Sequence, residues 1–260
     1  MKKKEIIHHI VNWLKAYSEK SGTNGFVVGI SGGVDSALTS TLCALTGKPV
    51  IVLNMPIRQS KGEYERGVEH IEALKKKYKN VSSEIVDLTR IFEKIEKDFP
   101  ESVQDFLTMA NTRARLRMTT LYAFAGHHKM LVAGTGNKIE DFGVGFFTKY
   151  GDGGVDISPI ADLMKSEVYA LAKELDVVES ILSAKPTDGL FHDGRSDEDQ
   201  LGASYDELEW AMKTAEKENT GSGFSARQQE VMKIYKERNR ANKHKMEAIP
   251  VCLIPKEFFT

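Results

Sequence analysis

Apolar residues recur along the chain at two spacings, which predict an alternation of strands and helices. An amphipathic first helix is predicted over residues 3 to 20 from an apolar set at helical spacing: Ile6, Ile7, Ile10, Leu14 and Tyr17. Apolar runs of strand type follow at GFVVGI (25 to 30), PVIVLNM (49 to 55), VSSEIVDL (81 to 88) and KMLVAGT (129 to 135). These runs predict four strands.

Predicted helices separate these runs and complete the chain. They cover SALTSTLCALTGK, KGEYERGVEHIEALKKKYK, two segments on either side of Pro100 within 88 to 126, SYDELEWAMKTAEKEN and SARQQEVMKIYKERNRANKHK. Between about 141 and 203 the periodicity weakens into glycine- and aspartate-rich loops with one helix. The alternation predicts an α/β fold, a doubly wound, Rossmann-like parallel sheet with helices on both faces. Ligands are expected at the carboxyl edge of such a sheet.

Composition narrows the class of protein. The 260 residues are 41% hydrophobic and 28% charged, which predicts a single domain over 1 to 260. A formal net charge of -1 argues against a nucleic-acid-binding surface. Cys43 and Cys252 form no CxxC pair, so neither a disulfide framework nor a zinc site is expected, and the compartment should be reducing. With no signal peptide and no apolar run that could span a bilayer, a cytoplasmic protein is expected.

The stretch SGGVDSA, between the first predicted strand and the next helix, carries the first candidate chemistry. Gly32 and Gly33 let the backbone turn sharply beside a ligand, and the following helix offers free N–H groups and a positive dipole end to an anion. Neither a Walker A loop nor the G-x-G-x-x-G fingerprint is present. Asp35 would repel bound phosphates unless a cation intervened, so it predicts Mg²⁺. Taken singly, Ser31 also fits an ordinary N-cap and Asp35 an ordinary acid in a first helical turn.

At this point a resemblance becomes visible. SGGVDSA resembles the pyrophosphate-binding loop of the N-type ATP pyrophosphatases, which cleave ATP between its α and β phosphates. Further segments occur in the order and spacing of the NAD synthetase family and cover essentially the whole chain: NTRARLRM (111 to 118), GTGNKIE (134 to 140), FFTKYGDGGVDISPIADLMKSEV (146 to 168), KPTDGL (185 to 190) and NKHK (242 to 245).

The resemblance implies an ATP site, with Asp35, Glu140 and Lys165 as its catalytic residues. The implied ATP contacts are Gly29, Ile30, Ser31, Gly32, Gly33, Val34, Asp35, Ser36, Thr135, Lys165 and Thr187. Asp35 and Glu140 would hold Mg²⁺, and Lys165 would face the α phosphate. From the residues alone, Glu140 also fits an acid in the first turns of a helix, and Lys165 a lysine reaching into water.

A second set of positions resembles the residues of the family that hold deamido-NAD: Arg115, Lys149, Asp156, His244 and Lys245. Because alternate residues on a helix diverge, Arg115 is expected to face the pocket while Arg113 and Arg117 face water. The resemblance also implies a homodimer with the dinucleotide near the subunit interface. One local departure stands out: many bacterial relatives have GTDHAAE and a following gap that is one residue shorter, where this chain has GTGNKIE.

The implied reaction is the ATP-dependent amidation of deamido-NAD with ammonia, through an adenylated intermediate, to NAD, AMP and pyrophosphate. The length leaves no space for a glutamine amidase domain, and neither cysteine resembles its nucleophile, so free ammonia is the expected donor. Asp152 or Asp156 is a candidate proton acceptor. Two alternatives stay open: another adenylating ligase, such as a tRNA-modifying enzyme, and a nucleotide sensor without catalysis.

Overall fold

A parallel sheet forms the centre of the chain in the computed structural model, which describes residues 1–184, 197–217 and 223–259. Its strands are β1 (Phe26–Gly29), β2 (Val50–Asn54), β3 (Val81–Ile85) and β4 (Leu131–Val132). They lie in the order β3-β2-β1-β4, and every pairing is parallel. The predicted doubly wound α/β fold is therefore confirmed.

Helices cover both faces of the sheet. Their bounds are α1 (Lys3–Lys20), α2 (Val34–Leu45), α3 (Lys61–Lys77), α4 (Thr89–Asp98), α5 (Phe106–His128), α6 (Lys165–Glu174), α7 (Glu179–Leu182), α8 (Asp197–Leu201), α9 (Tyr205–Glu216) and α10 (Ala226–Met246). Short 3-10 turns lie at Glu101–Val103 and Lys256–Phe259, and a π-helix at Ile139–Val144. In the described parts of the chain, no helix combines the length and apolar character that a membrane crossing requires.

Side chains of β1 show why both faces are covered. Phe26 and Val28 pack into one apolar cluster with α1, α2 and α6, whereas Val27 packs into a second cluster with α4 and α5. Successive residues of a strand point to opposite faces, so a strand that is apolar at every position needs a layer of helices on each side. Burying these faces is the main stabilising contribution to the fold.

The strand order creates a crevice at the carboxyl edge of the sheet. From β1 the chain crosses through α2 to β2 and through α3 to β3, and α5 then returns it to β4 on the other side of β1. The loops that leave β1 and β4 therefore diverge from neighbouring strands, which is the topological switch point of an open parallel sheet. SGGVDSA and GTGNKIE follow these two strands, so the topology brings them together.

A third apolar cluster joins the C-terminal helices to the π-helix. Ile139 and Val144 from the π-helix pack with Leu208 on α9 and Val231 and Tyr235 on α10. The layer lies beside the crevice because the π-helix follows β4. Helix α10 thus lines one side of the crevice.

Three sequence-based expectations were wrong in detail. Tyr17, assigned to the apolar face of α1, is 40% exposed and stacks beside Trp13, because the buried contacts of the helix are made by Ile10 and Leu14. The stretch from 141 to 203, expected to hold one helix, also contains the end of the π-helix, α7 and α8. Their short length leaves too few turns for a periodic apolar pattern. The fourth strand ends at Val132, so Thr135 lies in the following loop.

Candidate functional site

The glycine-rich turn after β1 is shaped by its own backbone and serines. Gly32 adopts φ +86°, in the left-handed region that favours glycine. The Ser36 hydroxyl donates to Gly33 O (3.0 Å) and accepts from the Ser31 N–H (3.3 Å), while the Gly33 N–H donates to Ser31 Oγ (3.2 Å). Gly33 is the N-cap of α2, so the N–H groups of its first turn open onto the crevice. This arrangement suits an anion, such as a phosphate.

Gly32 also lies against a neighbouring backbone, which makes it a position for a mutational test. A Cβ atom there would lie 2.4 Å from Glu63 O, whereas Gly22, at φ +67°, has open space around it. We expect G22A and G32A each to lose about 1–2 kcal/mol of unfolding free energy from the left-handed conformation. Only G32A should also weaken ATP binding, by at least about tenfold (~1.4 kcal/mol), because the clash displaces the turn. Chemical denaturation and ATP titration measure the two effects, and wild-type ATP affinity in G32A would contradict the assignment.

Three charged side chains from separate segments converge beside this turn. Lys165 Nζ donates to Asp35 Oδ2 (2.6 Å) and to Glu140 Oε1 (3.0 Å). Asp35 comes from the first turn of α2, Glu140 from the π-helix after β4 and Lys165 from the start of α6. The structure thus brings together the three residues predicted as catalytic, two of them at adjacent loops of the switch point.

The electrostatics of the cluster keep Lys165 charged. The lysine is only 4% exposed, and burial alone would lower its pKa; the carboxylates of Asp35 and Glu140 outweigh that effect and raise the pKa above its usual range. A cation at the N-terminus of a helix opposes the helix dipole. Lys165 is accommodated there because two negative groups compensate it.

The same geometry fits a divalent cation held together with phosphates. Two carboxylates already converge on one positive charge, and oxygen ligands are those that Mg²⁺ prefers. Within the described residues, no group of three or more His, Cys, Asp or Glu side chains could hold a metal by itself. Asp35 and Glu140 could supply two carboxylate ligands to such a cation.

Asn137, in the GTGNKIE loop, links the Asp35 carboxylate to the backbone of Glu140. Its side-chain N–H donates to Asp35 Oδ1 (3.0 Å), and its Oδ1 accepts from the backbone N–H groups of Ile139 (3.1 Å) and Glu140 (3.2 Å). The residue is fully buried. One amide thus fixes the start of the π-helix and orients the acid of α2, a role that sequence reasoning missed.

A cavity of about 850 Å³ extends from the glycine-rich turn along α5 and the FFTKYGDGG loop. Thr135 lines it beside Asp35, Glu140 and Lys165. Other predicted residues also line it: Gly29, Ile30, Ser31, Gly32, Gly33, Val34, Ser36, Arg115, Lys149, His244 and Lys245. Thr187 lies outside the described residues. One continuous cavity thus joins the predicted ATP positions to most of the predicted deamido-NAD positions.

The predicted substrate residues contact one another across the cavity wall. Arg115 Nε donates to Lys149 O (3.2 Å), and Lys149 Nζ donates to His244 O (2.7 Å). Lys245 Nζ donates to Phe147 O (2.7 Å) and to Gly145 O, and lies over the Phe147 ring. These contacts connect α5, the FFTKYGDGG loop and the end of α10.

Asp156 and the arginines on either side of Arg115 have surroundings that differ from those of the other predicted positions. Asp156 accepts from the Tyr122 hydroxyl (2.9 Å) and the Val132 N–H (2.8 Å), so both carboxylate oxygens anchor the loop to α5 and β4. Arg113 and Arg117 were both expected to face water. Arg117 instead lines the cavity and donates to Met55 O (3.1 Å), and Arg113 is 6% exposed and lies over the Phe92 ring. Apolar packing of its stem and ring stacking of its guanidinium explain the burial.

Two further acids, Asp141 in the π-helix and Asp152 in the following loop, have raised pKa values. Burial, and then Glu140, Asp152 and Asp35, raise the pKa of Asp141 to about 8. Asp152 is exposed in the cavity, which it lines, and accepts from the Thr148 N–H (3.0 Å). Desolvation by the surrounding cavity wall raises its pKa more than its hydrogen bonds lower it. A carboxylate with a raised pKa is a better proton acceptor than one in water.

Helix α9 contributes polar side chains that the sequence analysis missed. Tyr205 donates its hydroxyl to Glu140 Oε1 (2.6 Å), and Glu209 accepts from the Ser166 N–H and hydroxyl (both 2.8 Å). The two residues are one helical turn apart, and both are buried at 5% exposure. The signal available in the sequence was that Glu209 follows Tyr205 by four positions and so lies on the same helical face as an aromatic residue. Arg66 of α3, which lines the cavity and donates to Gly32 O (3.3 Å), carried no such signal.

Comparison with known proteins identifies the family of the chain. The family model described as NAD synthase matches residues 6–249. The chain belongs to the NAD synthase family. A curated relative in the family, the NH(3)-dependent NAD(+) synthetase of Archaeoglobus fulgidus, is 36% identical over 254 residues, covering 96% of this chain and 97% of the relative.

Two solved structures share the whole fold. The NMN synthetase from Francisella tularensis has a TM-score of 0.85 and 32% identity, covering 98% of this chain and 99% of that chain. The NH3-dependent NAD synthetase from Campylobacter jejuni, solved with a nitrate ion, has a TM-score of 0.80 and 28% identity, covering 97% and 100%. The chain therefore matches these relatives along nearly their full length.

Proposed function

We propose that this protein catalyses the ATP-dependent amidation of deamido-NAD with ammonia to give NAD, AMP and pyrophosphate. The observation that carries the proposal is the convergence of Asp35, Glu140 and Lys165 beside a glycine-rich turn, in a cavity continuous with Arg115 and Lys149. Family membership supports the reaction type. A site with one cationic lysine, two acids and an anion-binding turn suits the transfer of an adenylyl group.

The first step is adenylation of the nicotinate carboxylate. A carboxylate oxygen attacks the α phosphorus of ATP, the bond to the bridging oxygen of the β phosphate breaks, and pyrophosphate leaves. The turn of Gly32 and Gly33 binds the departing phosphates, and Lys165 stabilises charge that develops at the α phosphate. Positioning and charge stabilisation supply most of the rate in such chemistry.

Mg²⁺ is the proposed cofactor, held by Asp35 and Glu140. When bound, it supplies positive charge that shields the ATP phosphates and favours departure of pyrophosphate. Lys165 then exchanges its two carboxylate partners for phosphate oxygens.

We also propose that the protein acts as a cytoplasmic homodimer, in line with its family resemblance.

The second step is attack of ammonia on the activated carbonyl. The nitrogen forms a bond to the carbonyl carbon, the bond from that carbon to the AMP oxygen breaks, and one proton is lost from nitrogen. Asp152 is the favoured acceptor because it lines the cavity and has a raised pKa, whereas both carboxylate oxygens of Asp156 anchor the loop.

Replacing Asp152 should separate the two steps. We expect D152N to lower NAD formation about 100-fold or more, because general base catalysis typically contributes about that factor, while pyrophosphate release in a single turnover continues. Quenched-flow assays that follow pyrophosphate and NAD separately measure this. Equal loss of both products would instead place Asp152 in substrate binding. Asp162→Asn, at an exposed acid paired with Lys138, is the matched control.

A second candidate is amidation of the corresponding mononucleotide to NMN. It is favoured by the higher TM-score and identity to the Francisella tularensis NMN synthetase than to the Campylobacter jejuni NAD synthetase. Both substrates present the same nicotinate carboxylate, so the adenylation chemistry is unchanged. Comparing kcat/KM for deamido-NAD and for nicotinate mononucleotide decides between them.

The experiment that tests the function uses purified protein with ATP, Mg²⁺, ammonium and either nicotinate substrate. Equal amounts of AMP and of NAD or NMN are the expected result. ATP binding without turnover would favour a nucleotide sensor, and AMP formation that requires tRNA would favour another ligase. Replacing ammonium with glutamine should stop the reaction, because the curated relative is named as an NH(3)-dependent enzyme.

A further inference from the structure

Tyr205 contacts both the predicted catalytic lysine, Lys165, and one of the two predicted metal ligands, Glu140. Its hydroxyl is 2.6 Å from Glu140 Oε1, the same oxygen that Lys165 Nζ contacts at 3.0 Å. Its ring lies beneath the ammonium, with Lys165 Nζ 4.7 Å from the ring centroid. The hydroxyl also lies 3.3 Å from Asp197 Oδ2, so the shorter contact identifies Glu140 as its main acceptor. One side chain therefore contacts Glu140 through its hydroxyl and the cation through its π face.

The position of Tyr205 is fixed by the helix that carries it. Ser204, the N-cap of α9, accepts from the Glu207 N–H, and Glu207 accepts in return from the Ser204 N–H. One turn later, Glu209 binds both the backbone N–H and the hydroxyl of Ser166, next to Lys165 on α6. The start of α9 is thus bonded directly to the helix that presents the lysine.

The geometry points to Tyr205 as a positioning residue that holds Glu140 Oε1 and leaves the second oxygen of that carboxylate free for Mg²⁺. This inference rests on the proposed binding of Mg²⁺ with ATP. Before ATP binds, Oε1 accepts from both Tyr205 and Lys165; when Lys165 moves to phosphate, the tyrosine hydroxyl remains as its donor. The carboxylate then keeps its orientation while its cationic partner changes. No bond other than hydrogen bonds is made or broken.

A tyrosine is suited to this role because its donor is neutral. A second lysine or arginine at this place would neutralise Glu140 and compete with the metal for it. A phenol donates one hydrogen bond, is packed by its ring, and leaves the negative charge available to the cation. Partners of metal ligands typically change metal affinity about 10- to 100-fold when they are removed.

The test is Tyr205→Phe, which keeps the ring and removes one oxygen atom. Mn²⁺ serves as the probe, with its binding to the ATP-loaded protein followed by electron paramagnetic resonance. We expect Mn²⁺ affinity to fall about 10- to 100-fold in Y205F. ATP affinity in EDTA should stay within about twofold of wild type (~0.4 kcal/mol), because the hydroxyl is inferred to orient an acid and not to shape the nucleotide pocket. Tyr235→Phe is the matched control, because Tyr235 is buried in the same apolar cluster and packs beside Gly143.

Each possible result of these measurements either supports or overturns the positioning role of Tyr205. Unchanged Mn²⁺ affinity in Y205F, or an equal loss of ATP affinity without metal, would overturn the inference. Saturating Mg²⁺ should restore turnover in Y205F but not in E140Q, a difference that a general packing defect would not produce. If the wild-type protein itself binds no Mn²⁺ with ATP, the proposed function fails first, so the two failures are distinguishable. Thermal unfolding confirms that Y205F is folded.

Discussion

Asp35→Asn should lower kcat/KM for ATP about 1,000-fold while the protein remains folded. Asp35 Oδ2 is one of two carboxylate oxygens that bind Lys165, and Asp35 follows the glycine-rich turn in the first turn of α2. Asparagine keeps the size and the contact to Asn137 but removes the charge that would hold Mg²⁺ against the phosphates. Loss of one charge-stabilising group at a reacting phosphate typically costs two to three powers of ten in rate.

Initial rates of AMP formation across a range of Mg²⁺ concentrations measure this effect. Asp98→Asn is the control, because Asp98 is an exposed acid whose partner is a lysine on the same helix, Lys94, at 2.7 Å. Such surface pairs contribute little, so D98N should behave as wild type. Activity of D35N above about a tenth of wild type at the same Mg²⁺ concentration would contradict the proposed role.

Lys165→Met should affect both turnover and stability. We expect kcat to fall about 100- to 1,000-fold, because the charge that develops at the α phosphate loses its cation. Without nucleotide, the variant leaves Asp35 and Glu140 facing each other without the ammonium that bridges them. Removing one partner of a buried ion pair is strongly destabilising, so the unfolding free energy should fall by about 3 kcal/mol.

Binding of Mg²⁺ should reverse part of the stability loss in K165M. Mg²⁺ should raise the unfolding temperature of the variant more than that of the wild type, because a metal can take the position of the missing ammonium. Lys173→Met, at an exposed lysine of the same helix, should change neither turnover nor the response to Mg²⁺. Equal responses of K165M and wild type to Mg²⁺ would show that the two acids do not hold the cation together.

Much of the fold could be predicted from the apolar pattern, because β-rich runs separated by segments of helical periodicity are compatible with few sheet topologies. PVIVLNM and GFVVGI became paired parallel strands, and the carboxyl-edge rule placed SGGVDSA and GTGNKIE side by side. The convergence of Asp35 and Glu140 was thereby predictable. Their common partner Lys165 was reached through family resemblance.

The remaining parts of the site depend on contacts between segments far apart in sequence. Tyr205 reaches Glu140 across 65 positions, and Asn242 donates to Val144 O across 98. No local spacing encodes such pairs, because the hydrogen bonds form only after α9 and α10 pack against the π-helix. Arg113 was wrongly expected to face water for the same reason, because the Phe92 ring over which its guanidinium lies belongs to a different helix.

The π-helix has a consequence for how this family can vary in length. One residue inserted into an α-helix rotates everything after it by about 100° and would turn a catalytic acid or its following loop away from the substrate. A wider turn at Ile139–Val144 absorbs an added residue locally, and Asn239 and Asn242 hold the carbonyl groups of Gly143 and Val144 that it exposes. The segment between Glu140 and FFTKYGDGG can therefore gain a residue without changing the orientation of the Glu140 side chain or of the loop.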